Sequence, residues 1–239
     1  MEWADGAIGE IASDVIVNNL KEWFENLSPE QKQAYNTTVG NLKDSLLQRI
    51  ESNIQPSVEA KTRSQGGSTL VCAIIGKNDT LIANVGDSRA YIFKDKKLIQ
   101  LSREDTVAEE NLKKEKTKSK DAMRFDMEGN ILVQCLGMDR RKLIEPHCMI
   151  IKNTEYDLLM LFTDGVTDCL SEDDIVAVCR TTDKKELTNK LVEQAIRHDS
   201  IAGEELLEND GINSYIPGGK DNTTAAIYIP LQEETEQER

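Results

Sequence analysis

No apolar stretch in this chain approaches the roughly 18 residues that cross a bilayer, and the opening Met1-Glu2-Trp3-Ala4-Asp5 has neither the basic region nor the apolar core of a secretory leader. A cytoplasmic location is therefore expected, with no membrane partner. Metal ligands of the softer kind are also scarce. The two histidines, His147 and His198, stand far apart, and no two of the five cysteines form a Cys-x-x-Cys pair, so a zinc site of cysteine and histidine is not expected. Cys72, Cys135, Cys148, Cys169 and Cys179 are scattered among apolar residues and read as reduced core thiols. A Gly-x-x-x-x-Gly-Lys-Ser/Thr loop is absent, which sets nucleotide-driven chemistry of that type aside. Basic residues are outnumbered, 29 Lys and Arg against 43 Asp and Glu, and the resulting charge of −14 repels nucleic acid at long range.

Most of that acidity serves solubility, helped by the tail Glu233-Glu234-Thr235-Glu236-Gln237-Glu238. Four acidic turns stand apart from it. Asp164-Gly165 follows the apolar run Leu158-Leu159-Met160-Leu161-Phe162, and Asp221-Asn222 precedes a second strand-like run. Gly86-Asp87-Ser88-Arg89 separates two further strand-like segments, and Asp5-Gly6 stands near the start. Carboxylates at the ends of buried strands commonly hold a cation, and together these four point to a divalent-metal site of oxygen ligands.

The 239 residues suffice for one large core, read as a single domain over 1–230 followed by an acidic tail over 231–239. Ile8, Ile11, Ala12, Val15, Ile16, Leu20, Trp23 and Phe24 recur at helical spacing. Ser28-Pro29-Glu30-Gln31 combines a cap, a proline at the first helical position and a glutamine three residues after the cap, so a long helix is expected from there toward Ile50, antiparallel to the first. After Gly66-Gly67 the period changes. Thr69 to Ile75, Thr80 to Val85, Ala90 to Lys94 and Lys97 to Gln100 read as one antiparallel meander. Arg103 to Gly129, centred on the charged Lys113 to Lys120, reads as an exposed insertion that affects substrate choice. Strands are expected again near Ile131 to Val133, Cys148 to Ile151, Asp157 to Phe162 and Asn222 to Ile229, and capping boxes at Ser171/Asp174 and Asp183/Glu186. Helices, strands, helices and a last strand fit a sheet sandwich covered by helix pairs.

Read in order, Ala4-Asp5-Gly6, Gly66-Gly67-Ser68-Thr69, Ala83 to Ala90, Leu101-Ser102-Arg103-Glu104-Asp105, Phe162 to Ser171 and Gly219 to Thr224 resemble the successive motifs of the metal-dependent protein phosphatase family, type 2C, with the bacterial members nearest in style. The resemblance implies an α+β fold, a four-layer α-β-β-α sandwich of two mainly antiparallel sheets flanked by helix pairs. It also implies hydrolysis of phosphoserine or phosphothreonine by a metal-activated water, with two Mn²⁺ or Mg²⁺ ions. By the same resemblance Asp5 bridges the two metals, the Gly6 carbonyl binds one, Asp164 and Asp221 hold the other, and Asp87 and Asp168 match a third, weaker position. A phosphorylated protein is the implied substrate, and a cognate serine/threonine kinase the implied partner.

Other readings stand beside these. Asp164 and Asp221 taken singly are turn formers or helix caps, and Asp87 can brace a hairpin turn with Arg89 as its ion-pair partner. Gly67-Ser68-Thr69 serves close packing and strand entry, and His147 and His198 read as ordinary surface residues. The family's usual two strands before Asp-Gly, with a phosphate-binding arginine and an acidic residue, are expected to be missing here, and its Asp-Gly-x-Gly-Gly turn is shortened. The alternative function is therefore a weak or inactive pseudophosphatase that binds a phosphoprotein or kinase.

Overall fold

A computed structural model describes residues 6–114, 131–137, 143–197 and 222–230. Two antiparallel sheets form its centre. One has the order β1 (Leu70–Ile75), β2 (Asp79–Val85), β5 (His147–Lys152), and the other the order β4 (Lys97–Gln100), β3 (Arg89–Lys94), β6 (Leu158–Phe162), β7 (Ala225–Tyr228). Side chains alternate along every inner strand, and that alternation builds three apolar layers. Tyr91 and Phe93 of β3 and Leu158, Met160 and Phe162 of β6 face outward. They meet the helices that follow α5 (Val107–Lys114) in the chain: α6 (Asp164–Thr167), α7 (Glu172–Thr181) and the helix over 187–197, here α8. Ala90, Ile92 and Leu159 face the other way and meet Ile82 and Ile151 between the sheets. Leu81, Ala83 and Val85 pack under α1 (Gly6–Glu25) and the helices that follow it. These are the three interfaces of a four-layer α-β-β-α sandwich, as the resemblance implies.

The second helix starts where the sequence places it. Ser28 Oγ accepts from Gln31 N at 3.2 Å while Gln31 Oε1 accepts from Ser28 N at 2.9 Å. It does not run to Ile50. α2 ends at Thr37, because Thr38 takes an extended backbone, donates its hydroxyl to the Asp79 carboxylate and caps a short 3₁₀ turn at Val39–Leu42. A new rod then begins, α3 (Lys43–Arg49), a π turn (Ile50–Ile54) and α4 (Gln55–Thr62). Its buried stripe, Leu42, Leu46, Ile50, Ile54 and Val58, repeats every four residues. Such a stripe drifts by about 40° per step on an α-helix. The wider π turn absorbs part of that drift, and Pro56 has no N–H to give Ser52 in any case. This rod, rather than α2, is the antiparallel partner of α1. Trp23 Nε1 donates to Ser45 Oγ at 3.1 Å, and Arg49 reaches back to Glu22 at 2.8 Å.

The expected meander is two hairpins on different sheets. β1 pairs with β2 and β3 with β4, but β2 and β3 do not pair; the chain crosses between sheets at Gly86-Asp87-Ser88. Gly86 makes the crossing possible. Its φ of +96° disfavours any side chain, and an added Cβ would lie 2.5 Å from Thr69 Cγ2.

Residues 131–133 form only an isolated bridge, Thr106 to Leu132, instead of a strand. Asp183 accepts from Lys185 N at 2.9 Å, a local turn in place of the expected capping box. Ser171 and Asp174 do form one, with Ser171 N to Asp174 Oδ2 at 2.9 Å and Asp174 N to Ser171 Oγ at 3.1 Å. Ser171→Ala is expected to cost about 1 kcal/mol. In a thermal melt that reads as a fall of roughly 2–4 °C.

Candidate metal centre

Three acidic residues named from the sequence meet at one end of the four-stranded sheet. The register that sets Arg89 opposite Phe162 carries β3 and β6 out of the same sheet end, with Asp87 two residues before Arg89 and Asp164 two after Phe162. Asp168 follows one turn later, its N–H donating to Asp164 O at 2.7 Å. Gly165 N donates to Asp164 Oδ1 at 2.9 Å and so holds the carboxylate at the start of α6. Gly165 also lets the last strand approach. A Cβ there would stand 3.0 Å from Asn222 O and 3.1 Å from Thr223 Cα. Thr163 N to Thr224 O at 3.1 Å, and Thr224 N to Thr163 Oγ1 at 3.0 Å, close that contact.

The electrostatics follow from this crowding. Burial first, and then the Asp164 and Asp168 carboxylates, push the Asp87 carboxyl up to about 7, while Arg89 pulls the other way. Arg89 does not form the hairpin brace considered from the sequence, because its guanidinium pairs with Glu104 at 2.7 Å, with Gln100 steadying the other Glu104 oxygen at 3.0 Å. Its charge is therefore already answered. Thr167, between Asp164 and Asp168, is 1% exposed, and its Oγ1 has no hydrogen-bond partner among the described residues.

This donor set suits a hard divalent cation: anionic oxygens, no cysteine or histidine among them, and mutual repulsion that a cation relieves. Among the described residues no group of three His, Cys, Asp or Glu side chains is close enough to form a metal site alone. Coupling that shifts a pKa reaches farther than a coordination bond does, so the two observations agree. A closed shell needs ligands from beyond these three. Asp5 and Asp221 lie outside the described residues, as do Glu115 to Lys120 and residues 202–220; Gly6 opens α1, and Asn222, next to Asp221, lies against Gly165.

A model of the family described as Protein phosphatase 2C matches residues 5–195. The chain belongs to the protein phosphatase 2C family. Among its relatives, the serine/threonine phosphatase stp of Listeria welshimeri is 28% identical over 199 residues, covering 82% of this chain and 75% of that one. The S. agalactiae serine/threonine phosphatase superposes with a TM-score of 0.70 at 20% identity, over 94% of this chain and 83% of that one. The catalytic domain of the phosphatase PstP, solved with two manganese ions, gives 0.64 at 20% identity, over 92% and 80%. As a bacterial-type member of the 2C family, the chain is a metal-dependent serine/threonine protein phosphatase, and its substrates are phosphoproteins. The binding module without turnover is not favoured. Among the described residues no helix is long and apolar enough to cross a membrane.

The structure also corrects His147, which is no ordinary surface residue. Its side chain is 21% exposed and its Nε2 lies 2.8 Å from Asp105 Oδ1. Asp105 itself, with Gln134, carried no role in the sequence reading, although Asp105 closes one of the family-like motifs. His198 lies outside the described residues.

Proposed function

We propose that this 2C-family phosphatase holds two Mn²⁺ or Mg²⁺ ions at the end of the sandwich where β2 crosses to β3 and β6 enters α6. Asp5, the Gly6 carbonyl, Asp164 and Asp221 are their ligands, and Asp87 and Asp168 hold a third, weaker ion. The observation that carries the reading is the convergence of Asp87, Asp164 and Asp168 on one sheet end, with Asp87 pushed up to about 7 and Arg89 already paired to Glu104. Bound there, the cations supply Lewis acidity that activates water and neutralises phosphoryl charge. The carboxylates set where the cations stand, and the Asp164 to Gly165 hydrogen bond keeps one of them from turning away. The Glu104 to Arg89 pair keeps the guanidinium from collapsing onto Asp87 and displacing a cation. Without cations the Asp87, Asp164 and Asp168 carboxylates oppose a dianionic phosphoester at this sheet end, so substrate binding and metal binding are coupled.

The domain is proposed to span 1–230 with the acidic tail 231–239 outside it, in a cytoplasmic protein that reverses the work of a cognate serine/threonine kinase. The family match over 5–195 supports the first part. The test is phosphate release from a phosphothreonine peptide by the full chain with Mn²⁺, with Mg²⁺ and with chelator. Turnover that appears with metal and vanishes with chelator is expected. Turnover unaffected by chelator overturns the reading.

A further inference from the structure

Behind the Gly86 crossing lies a buried carboxylate that, among the described residues, hydrogen-bonds no proposed ligand directly. Asp105 is 3% exposed, and three segments of chain donate to it. Its Oδ2 accepts from Gly86 N at 2.8 Å and Gln134 Nε2 at 2.6 Å, and its Oδ1 bonds His147 Nε2 at 2.8 Å. The backbone adds two further ties. Asp105 N donates to Gly86 O at 3.1 Å, and Asp105 O accepts from Val133 N at 2.8 Å. One residue thus grips Gly86 by both of its polar groups, at the point where the chain passes from one sheet to the other.

Charge-assisted bonds of this kind are short and directional, and in a dry setting they hold one geometry. The residue after Gly86 is Asp87. We propose that Asp105 is a positioning residue of the metal centre: by gripping Gly86 it sets the direction in which Asp87 leaves the crossing. Through His147 and Gln134 it links that direction to β5 and the segment 131–137. Gln134 extends the link, since its Oε1 accepts from Glu145 N at 3.0 Å. This inference rests on the reading of Asp87 as a metal carboxylate.

A merely structural Asp105 would change stability and leave metal affinity alone. The experiment is therefore calorimetric titration of Mn²⁺ into the full chain and its Asp105→Asn, His147→Leu and His147→Gln variants, with KM for a phosphothreonine peptide measured alongside. Asp105→Asn is expected to weaken Mn²⁺ binding about tenfold, the scale at which outer-shell partners act. His147→Leu should weaken it less, and His147→Gln, whose Nε2 reaches as far as the imidazole Nε2, should recover wild-type affinity. At Mn²⁺ concentrations that saturate every variant, KM should stay unchanged throughout. If Asp105→Asn does not fold, the His147 pair decides alone. Equal affinity in wild type, Asp105→Asn and His147→Leu overturns the inference and leaves the metal reading intact, as does a loss that His147→Gln fails to recover. A wild-type chain that binds no Mn²⁺ overturns the metal reading and this inference with it.

Discussion

Asp164→Asn is expected to weaken Mn²⁺ binding by more than the roughly 10- to 100-fold that loss of an outer-shell partner costs, and to remove metal-dependent turnover with it. Asparagine keeps the size of the side chain and one oxygen able to accept from Gly165 N, so the turn into α6 should survive. What disappears is the charge. A cation at the end of β6 then meets one carboxylate fewer, and the Asp87 carboxyl loses one of the two neighbours that raise it. Calorimetry on the purified variant decides the matter: unchanged Mn²⁺ affinity would remove Asp164 from the ligand set.

Divalent cations should also stabilise the fold itself. A ligand present at a hundred times its Kd adds about 2.7 kcal/mol to the folded state. For a chain of 239 residues that is a rise in thermal midpoint on the order of 5–10 °C over the chelated protein. Asp87→Asn is expected to raise the chelated midpoint, because it deletes a carboxyl that burial and two like charges oppose, and to shrink the metal-induced rise. The pH course has a definite sign. With its folded value raised from 3.8 to about 7, Asp87 binds more proton in the native state than in the unfolded one between those limits. Chelated stability should therefore fall as pH climbs through that window, and added Mn²⁺ should restore most of it at pH 8 and little of it at pH 5. A metal-induced rise of the same size at both pH values would contradict the carboxylate cluster as its cause.

The layers of the fold were legible because they rest on local rules. Alternation along Leu158 to Phe162 and along Ala90 to Phe93 sorts the side chains to the two sheet faces, and the caps at Ser28 and Ser171 state their partners within three residues. What escaped depends on residues far apart in sequence. The helix after Ser28 breaks because Thr38 meets Asp79, 41 positions away. The meander splits because Arg89 to Phe93 finds a second partner in Leu158 to Phe162, and a Gly-Asp turn looks the same whether it returns a strand to its own sheet or sends it to the other. His147 misleads for the same reason, since its partner Asp105 is 42 residues upstream.

The candidate site divides along that line too. Asp87 and Asp164 announce themselves as acidic turns at strand ends, whereas Asp168 is named only through the family resemblance, and the structure brings the three to one sheet end. The hold of Asp105 on Gly86 carries no local signature, because an aspartate after a strand reads equally as a cap or a solvated turn.

The most direct test of the central claim is anomalous diffraction from crystals of the full chain grown with Mn²⁺. The account predicts anomalous peaks at coordination distance, about 2 Å, from carboxylate oxygens of Asp164 and at least one of Asp87 and Asp168. Peaks at other carboxylates, with these three left bare, would contradict it.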